Sequence, residues 1–403
     1  MESDQNSGPF CHIPFESSNC RLKFWPHPPS ADENSSEICQ IPGEILQSIL
    51  LRLPFSDLLI TRSTCKCLAG EISGQEFRSL YDKTSQENWL YLYKKKPLKT
   101  SSILAYSDMC RRWFKIPIAG IFASAINSGE DLYLLAASKG FVLFALNRGG
   151  ELVAGNLVSG AVKKIPAGPL GPRRTCTWRR YGLTMVAGTS SFEFLFAESI
   201  GGQPVVFVYN SETESWRVII AKPFGNFSAR KREILSASHV GEHSTLVSID
   251  RESDMASILR PKFEGKIFSV YETHVFGDGW MMVVKSEGFG TCGRVMTHVE
   301  IWGLGLGGER WELRGQAPRE MLERESRVYD VMMGCLEERE SVIRAVLVSN
   351  LKGKWDMVWV CFDMMREKWE FNFLPQCDME GGNIAGIAIS SSLPLMSLNS
   401  QRF

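Results

Sequence analysis

The sequence predicts two folds in succession, a small all-α unit followed by an all-β propeller of six blades. Three observations predict it. Residues 41 to 80 place apolar side chains at helical spacing. Residues 100 to 390 hold short apolar strands punctuated by glycine and polar turns, and inside that region an aromatic residue recurs seven places before a tryptophan. At 403 residues the chain is long enough for more than one unit of ~150 residues. The expected division is a disordered tail over 1–36, the helical unit over 37–80, a linker with the first strand over 81–99, the propeller over 100–393 and a short tail over 394–403.

The first 36 residues are rich in Ser, Asn, Pro and acidic side chains, with prolines at Pro26, Pro28 and Pro29, a composition that does not bury a core. Ile41, Ile45 and Ile49 then recur every four residues, and Leu46, Leu50 and Leu53 widen the same face. Pro42 fits a first helical turn and Pro54 ends that helix. Ser56 is placed to cap a second helix that carries Asp57, Leu58, Leu59 and Arg62. Gly70 punctuates the next helical stretch, and Phe77 offers a late apolar anchor. A unit of about forty residues buries little surface alone and gains from a partner.

The β region contains a repeat. Tyr106 to Trp113 (YSDMCRRW), Tyr209 to Trp216 (YNSETESW) and Phe362 to Trp369 (FDMMREKW) each read as a strand end, a polar turn and a strand opening on tryptophan. Asn156 to Val162 and Asp250 to Ala256 keep the turn without the tryptophan, and Trp302 to Trp311 keeps aromatics around a longer turn. Positions 113, 162, 216, 256, 311 and 369 are spaced by 49, 54, 40, 55 and 58 residues, close to the period of four-stranded blades. Too few residues precede Trp113 for a full blade. The C-terminal segment 383–390 (NIAGIAIS) is therefore expected to supply the missing strand and latch the ring.

These residues carry a family resemblance. IPGEILQSILLRLP from Ile41 to Pro54, followed by Asp57-Leu-Leu, Arg62, Cys65-Lys66 and Phe77, resembles an F-box, with Ile41 for the family's leucine and Leu68 for its tryptophan. Gly201-Gly202, seven residues before Tyr209, resembles a kelch repeat in order and distance. Together, residues 38 to about 390 resemble the F-box/kelch-repeat proteins that are numerous in plants. The resemblance implies a non-catalytic substrate-recognition subunit of an SCF-type cullin–RING ubiquitin ligase that needs no cofactor or metal. The F-box would bind a SKP-family adaptor, and through it the cullin–RING core, while the propeller holds the protein to be ubiquitylated. Ile41, Pro42, Ile45, Leu46, Ile49, Leu50, Leu53, Pro54 and Leu58 are the candidate adaptor-binding residues.

Other chemistry is weakly signalled. Lys plus Arg equals Asp plus Glu at 45 each, so no global field draws nucleic acid or an anionic membrane. No apolar run approaches the ~20 residues of a membrane span. The start of the chain lacks the basic and apolar pattern of a secretion signal, so the expected location is cytoplasm and/or nucleus. The eleven cysteines have no regular spacing and read as reduced, mostly buried thiols. Gly303-Leu-Gly305-Leu-Gly307-Gly308 matches GxGxxG but is followed by a strand, so a hairpin turn is expected rather than a dinucleotide site. His239 and His243 are four apart in a glycine-interrupted segment that does not put them on one helical face. Asp250 and Asp254 fit a turn. Lys94, Lys95 and Lys96 read as a solvated linker.

Two basic loops follow strands that would be outermost in their blades. Residues 172–182 hold Arg173, Arg174, Arg179 and Arg180 with no acid, and residues 222–233 hold Lys222, Arg230, Lys231 and Arg232 against Glu233. Arg173, Arg174, Trp178, Arg179, Arg180, Arg230, Lys231 and Arg232 are candidates for binding an acidic or phosphorylated segment of a substrate; solvated loops without a partner are the competing reading. Two further functions compete with the ligase subunit. One is a propeller enzyme or small-molecule sensor with its site in the central channel. The other is a protein that engages the adaptor without ligase activity.

Overall fold

Two prolines open the first two helices. The Pro42 carbonyl accepts the N–H groups of Ile45 and Leu46 at 3.0 Å each and caps α1 (Gly43–Leu50). Pro54 accepts from Asp57 and Leu58, also at 3.0 Å, and caps α2 (Phe55–Arg62). Three local expectations shift accordingly. Pro42 sits just before the helix, α1 has ended at Leu50 before Pro54 is reached, and Ser56 lies inside α2 rather than capping it. Asp57 in the first turn and Arg62 in the last turn of α2 match the helix dipole. In α3 (Lys66–Ser73) the Cys65 sulfur accepts from the Leu68 N–H at 3.5 Å. Gly70 falls within α3, and Gly74 makes the break before α4 (Gln75–Thr84).

This computed structural model describes residues 11–12, 41–95, 97–127, 129–173, 178, 183–188, 190–223, 232–237, 245–251, 253–263, 272–277, 279–291, 293–305, 308–325, 327–375, 384–391 and 393–399. Two compact units make up the chain. One spans Met1–Thr175, Val186–Phe192 and Ile384–Phe403, and the other Cys176–Met185 and Glu193–Asn383.

Beyond the helices lie six sheets, the blades of the predicted propeller. Blade 1 is β26 (Ile384–Ser391), β2 (Asn88–Lys94), β3 (Ser102–Ser107) and β4 (Arg112–Pro117). Blade 2 runs β5 (Leu132–Ser138), β6 (Phe141–Leu146), β7 (Leu152–Asn156), β8 (Val162–Ile165). Blade 3 runs β9 (Leu183–Ala187), β10 (Phe192–Ile200), β11 (Gln203–Asn210), β12 (Ser215–Ile220). Blade 4 shows three strands among the described residues, β13 (Arg232–Ala237), β14 (Thr245–Asp250) and β15 (Met255–Leu259). Blade 5 holds β17 (Glu272–Gly277), β18 (Trp280–Phe289), β19 (Gly293–Leu304) and β20 (Arg310–Gln316). Blade 6 holds β22 (Val331–Arg339), β23 (Val342–Leu351), β24 (Lys354–Asp363) and β25 (Lys368–Phe373).

The C-terminal strand is found where the sequence required one. β26 pairs antiparallel with β2, Leu90 opposite Ile389 and Leu92 opposite Ile387, so one blade is built from both ends of the sheet region. β26 also packs closely on β5. Gly386 has a φ of 128°, and a side chain there would run into the Leu134 carbonyl.

The repeat is a hairpin between the last two strands of each blade. Tyr106 faces Trp113, Tyr209 faces Trp216 and Phe362 faces Trp369, with ring centroids 5.2, 5.3 and 4.6 Å apart. The turn between them repeats as well. Asn156, Asn210 and Asp363 accept backbone N–H groups two and three residues ahead through Oδ1, at 2.8–3.1 Å. Asp250 accepts from Ser253, and the Ser107 hydroxyl oxygen accepts from Cys110. Four residues after each of these five caps the backbone turns left-handed, at Arg111, Gly160, Glu214, Asp254 and Glu367. Blade 2 carries Gly155 opposite Val162, and the ring of Phe122, from the short helix α5 (Ala119–Phe122), fills the space beside that glycine.

Short extended segments cover several outer edges. β1 (Cys11–His12) runs parallel to β4, Lys222 bridges Ser257 of β15 in parallel, and β16 (Lys262–Phe263) runs parallel to β20. β21 (Val328–Tyr329) pairs with β19, next to α6 (Arg319–Glu325).

Two segments read as linker or tail are ordered. Lys94 belongs to β2 opposite Ile384, and Lys95 lies 2.9 Å from Asp131, so this stretch is sheet and ion pair; Lys96 is outside the described residues. Leu395–Asn399 forms a 3-10 turn against α4, with Leu395 fully buried.

Candidate functional site

The apolar band read along α1 splits into two ridges. Leu46 and Leu50 turn inward with Leu58 of α2, and they pack with Phe55, Leu68, Ile72, Phe77 and Tyr81 in one buried core. Ile45 and Ile49, each one residue earlier, are 54% and 50% exposed, and Pro42 is exposed at the helix start. A one-residue step rotates a side chain by about 100°, enough to carry it from core to solvent. This corrects the candidate set. Leu46, Leu50 and Leu58 serve the unit's own core and offer no surface; Ile41, Leu53 and Pro54 are half-buried; Pro42, Ile45 and Ile49 form the accessible part. Ile60 on α2, 59% exposed, was missed because nothing in its spacing separates it from the buried Leu58.

The helical unit is seated on blade 1 by polar groups. Glu87, just before β2, is 1% exposed; its carboxylate accepts the Phe55 N–H at the start of α2 at 3.1 Å and the Ser107 hydroxyl in the β3–β4 turn. Burial, with the nearby Asp108 carboxylate acting in the same direction, pushes the Glu87 carboxyl up to about 7 against these hydrogen bonds. Arg112 of β4 lies 3.2 Å from Asp57 of α2, and the Ser56 hydroxyl is 3.4 Å from the Cys110 sulfur. Asp108 receives both the backbone N–H and the side-chain amide of Asn88 at 2.8 and 2.6 Å. On α4, Asp82 accepts the N–H groups of Leu395 and Met396 at 2.6 and 3.2 Å, tying the C-terminal turn to the helix. The Tyr81 hydroxyl donates to the Leu53 carbonyl at 3.3 Å. An exposed apolar ridge is thus held on a fixed mount.

Of the basic-loop candidates, the described residues include Arg173, half-buried, Trp178 and the backbone of Arg232 at the start of β13. Arg174, Arg179, Arg180, Arg230 and Lys231 lie outside them, as do His239 and His243. Trp178 is corrected. It is 4% exposed, with its ring 4.9 Å from Phe196 and 5.8 Å from Phe194, so it packs on blade 3 and presents no face to a partner.

Of the GxGxxG stretch, Gly303 lies at the end of β19 and the Gly305 N–H donates to the Arg310 carbonyl of β20 at 3.0 Å, so a strand and not a helix comes next; Leu306 and Gly307 lie outside the described residues. In blade 5, Lys285 lies 3.3 Å from Glu300 and 3.9 Å from Glu272, and the Trp302 indole N–H donates to Glu300 at 3.0 Å. Lys285 offsets part of the carboxylate charge within the sheet. Among the described residues no cluster of three potential metal ligands occurs, and no helix is long and apolar enough to cross a membrane. Cys65, Cys67, Cys110, Cys335 and Cys361 are free thiols.

Residues 38–78 match the family model of the F-box domain. No curated protein matches the chain. Among solved structures, the β-propeller domain of the Trilobed protease from Pyrococcus furiosus, described as having an open velcro topology, is similar at 13% identity. That likeness covers 61% of this chain and 86% of that one with a TM-score of 0.28, too low to carry an argument. The chain therefore has an F-box domain followed by an all-β six-bladed propeller, a combination that fits substrate-recognition subunits of SCF ligases in general.

Proposed function

We propose that this protein is a substrate-recognition subunit of an SCF-type ubiquitin ligase, with kelch-type blades of the kind found in plant F-box proteins. The observation that carries the reading is the F-box match at 38–78 together with the solvent-facing Pro42, Ile45 and Ile49 on its first helix. Two isoleucines four residues apart on one helical face add nothing to the fold and are the kind of anchor a partner helix covers. A SKP-family adaptor is the proposed partner, with the cullin–RING core joined through it. The propeller is proposed to hold the substrate protein, in the cytoplasm and/or nucleus.

No covalent step is assigned to the chain. Its contribution is to raise the effective concentration of substrate lysines beside a charged ubiquitin-conjugating enzyme, and that gain depends on geometry. The Glu87, Arg112 and Asp82 contacts support a stiff connection between the F-box and blade 1, which suits that task. Co-expression with a SKP-family adaptor and a cullin, followed by affinity capture, tests the reading. Recovery of a stoichiometric assembly supports it, and a folded chain that recovers neither partner contradicts it.

A further inference from the structure

The outer strands of blades 4 and 5 border a half-open pocket of about 760 Å3 that plays no part in holding the F-box. Two strand-like additions shape it. The Lys222 N–H donates to the Ala256 carbonyl and the Lys222 carbonyl accepts from Ile258, both at 2.9 Å, which fixes Pro223 at one wall. The Lys262 N–H donates to the Glu309 carbonyl at 2.8 Å, and the parallel register sets Lys262 beside Arg310. Ile258 and Leu259 supply an apolar wall.

The charge at this pocket is one-sided. Among the described lining residues, Arg260, Lys262 and Arg310 stand against one carboxylate, that of Glu309. The parallel register sets two cationic side chains, Lys262 and Arg310, side by side at the pocket. The whole chain has no net charge, so the excess is local. The basic stretch 222–233 singled out in the sequence begins at this wall, with Lys222 and Pro223.

We propose that this pocket receives an anionic side chain, a carboxylate or a phosphate, on an extended segment of the protein that the propeller recruits; this rests on the ligase-subunit reading. Arginine and lysine supply charge-assisted hydrogen bonds to either anion, while the apolar wall takes a neighbouring side chain. A peptide fits better than a nucleic acid. Among the described lining residues there is no aromatic ring to stack on a base, and one concave site does not track a run of phosphates.

The test is fluorescence anisotropy with the full chain bound to a SKP-family adaptor. The probes are labelled Glu-Ser repeat peptides, the same peptides with phosphoserine, neutral Gln-Ser repeats and a thymidine oligonucleotide. At least one anionic peptide is expected to bind, more weakly as salt rises, and at least about tenfold more weakly to Arg260→Gln/Lys262→Gln. The anionic peptide that binds more tightly identifies the anion. Glu309→Gln is expected to tighten binding, which keeps the proposal testable should the double variant fold poorly. Equal binding to wild type and variants, binding of the neutral peptide, binding of the oligonucleotide alone, or no binding at all would each overturn it. Adaptor binding is read on the same samples, so its loss with peptide binding retained counts against the ligase-subunit reading and leaves the pocket standing.

Discussion

The first F-box helix and the tryptophans of the blade repeat place apolar side chains in opposite ways. Trp113, Trp311 and Trp369 are all under 9% exposed, each in the fourth strand of its blade, although other blade positions such as Val218, Ile220 and Phe289 face solvent. The first F-box helix keeps Leu46 and Leu50 inside yet leaves Ile45 and Ile49 in solvent. In the blades the buried repeat tryptophans hold the fold. On α1 half of the apolar residues are surplus to the fold, and surplus apolar surface on a fixed mount serves association. Mutations should separate the two uses.

The largest effect is expected in a blade. Trp369→Ala removes a buried indole packed against the Phe362 ring and should cost about 3–5 kcal/mol, read as a lowered denaturation midpoint. By contrast Ile45→Asp/Ile49→Asp should move the midpoint by under about 0.5 kcal/mol. Equal losses in the two experiments would break the comparison.

Next in size is a pH effect at the mount. The folded chain holds the Glu87 proton up to about pH 7, whereas an ordinary glutamate releases it near 4.5. The folded state therefore binds more protons in that window. The contribution of Glu87 to stability is greatest below about pH 4.5, falls as pH rises and levels off above about 7, in all by about 3 kcal/mol. Glu87→Gln should flatten this slope in denaturation curves collected across the window, and a slope unchanged by the substitution would contradict the burial argument.

Smaller effects follow. Asp82→Ala strips the acceptor from the Leu395 and Met396 N–H groups and should cost about 1–3 kcal/mol, with faster proteolysis of the C-terminal turn. Arg112→Ala removes a half-exposed pair with Asp57 and should cost less than about 1 kcal/mol.

How much of this was legible varied with the range of the signal. Pro42 and Pro54 sit at fixed spacing in one short stretch, so the helices could be read, though the positions of their caps could not. The division between Ile45/Ile49 and Leu46/Leu50 was hidden because all four belong to one continuous apolar band, and only the packing of α2 to α4 decides which ridge is covered. The hairpin repeat was visible in three blades through its aromatic pair. Blade 2 showed only its turn, since its missing ring comes from Phe122, more than thirty residues before Gly155. The more constant signal is the Ser, Asn or Asp cap followed four residues later by a left-handed position, which five blades share. The mount was not legible at all. Glu87, Asp108 and Asp82 are ordinary acidic residues in sequence, and their role depends on partners brought in by folding.

The central claim is tested most directly by titrating a purified SKP-family adaptor into the folded chain and into Ile45→Asp/Ile49→Asp. The account predicts a one-to-one complex with wild type and at least about a hundredfold weaker binding to a variant with unchanged thermal stability. A folded wild-type chain that binds no such adaptor, or a double variant that binds as tightly as wild type, would contradict it.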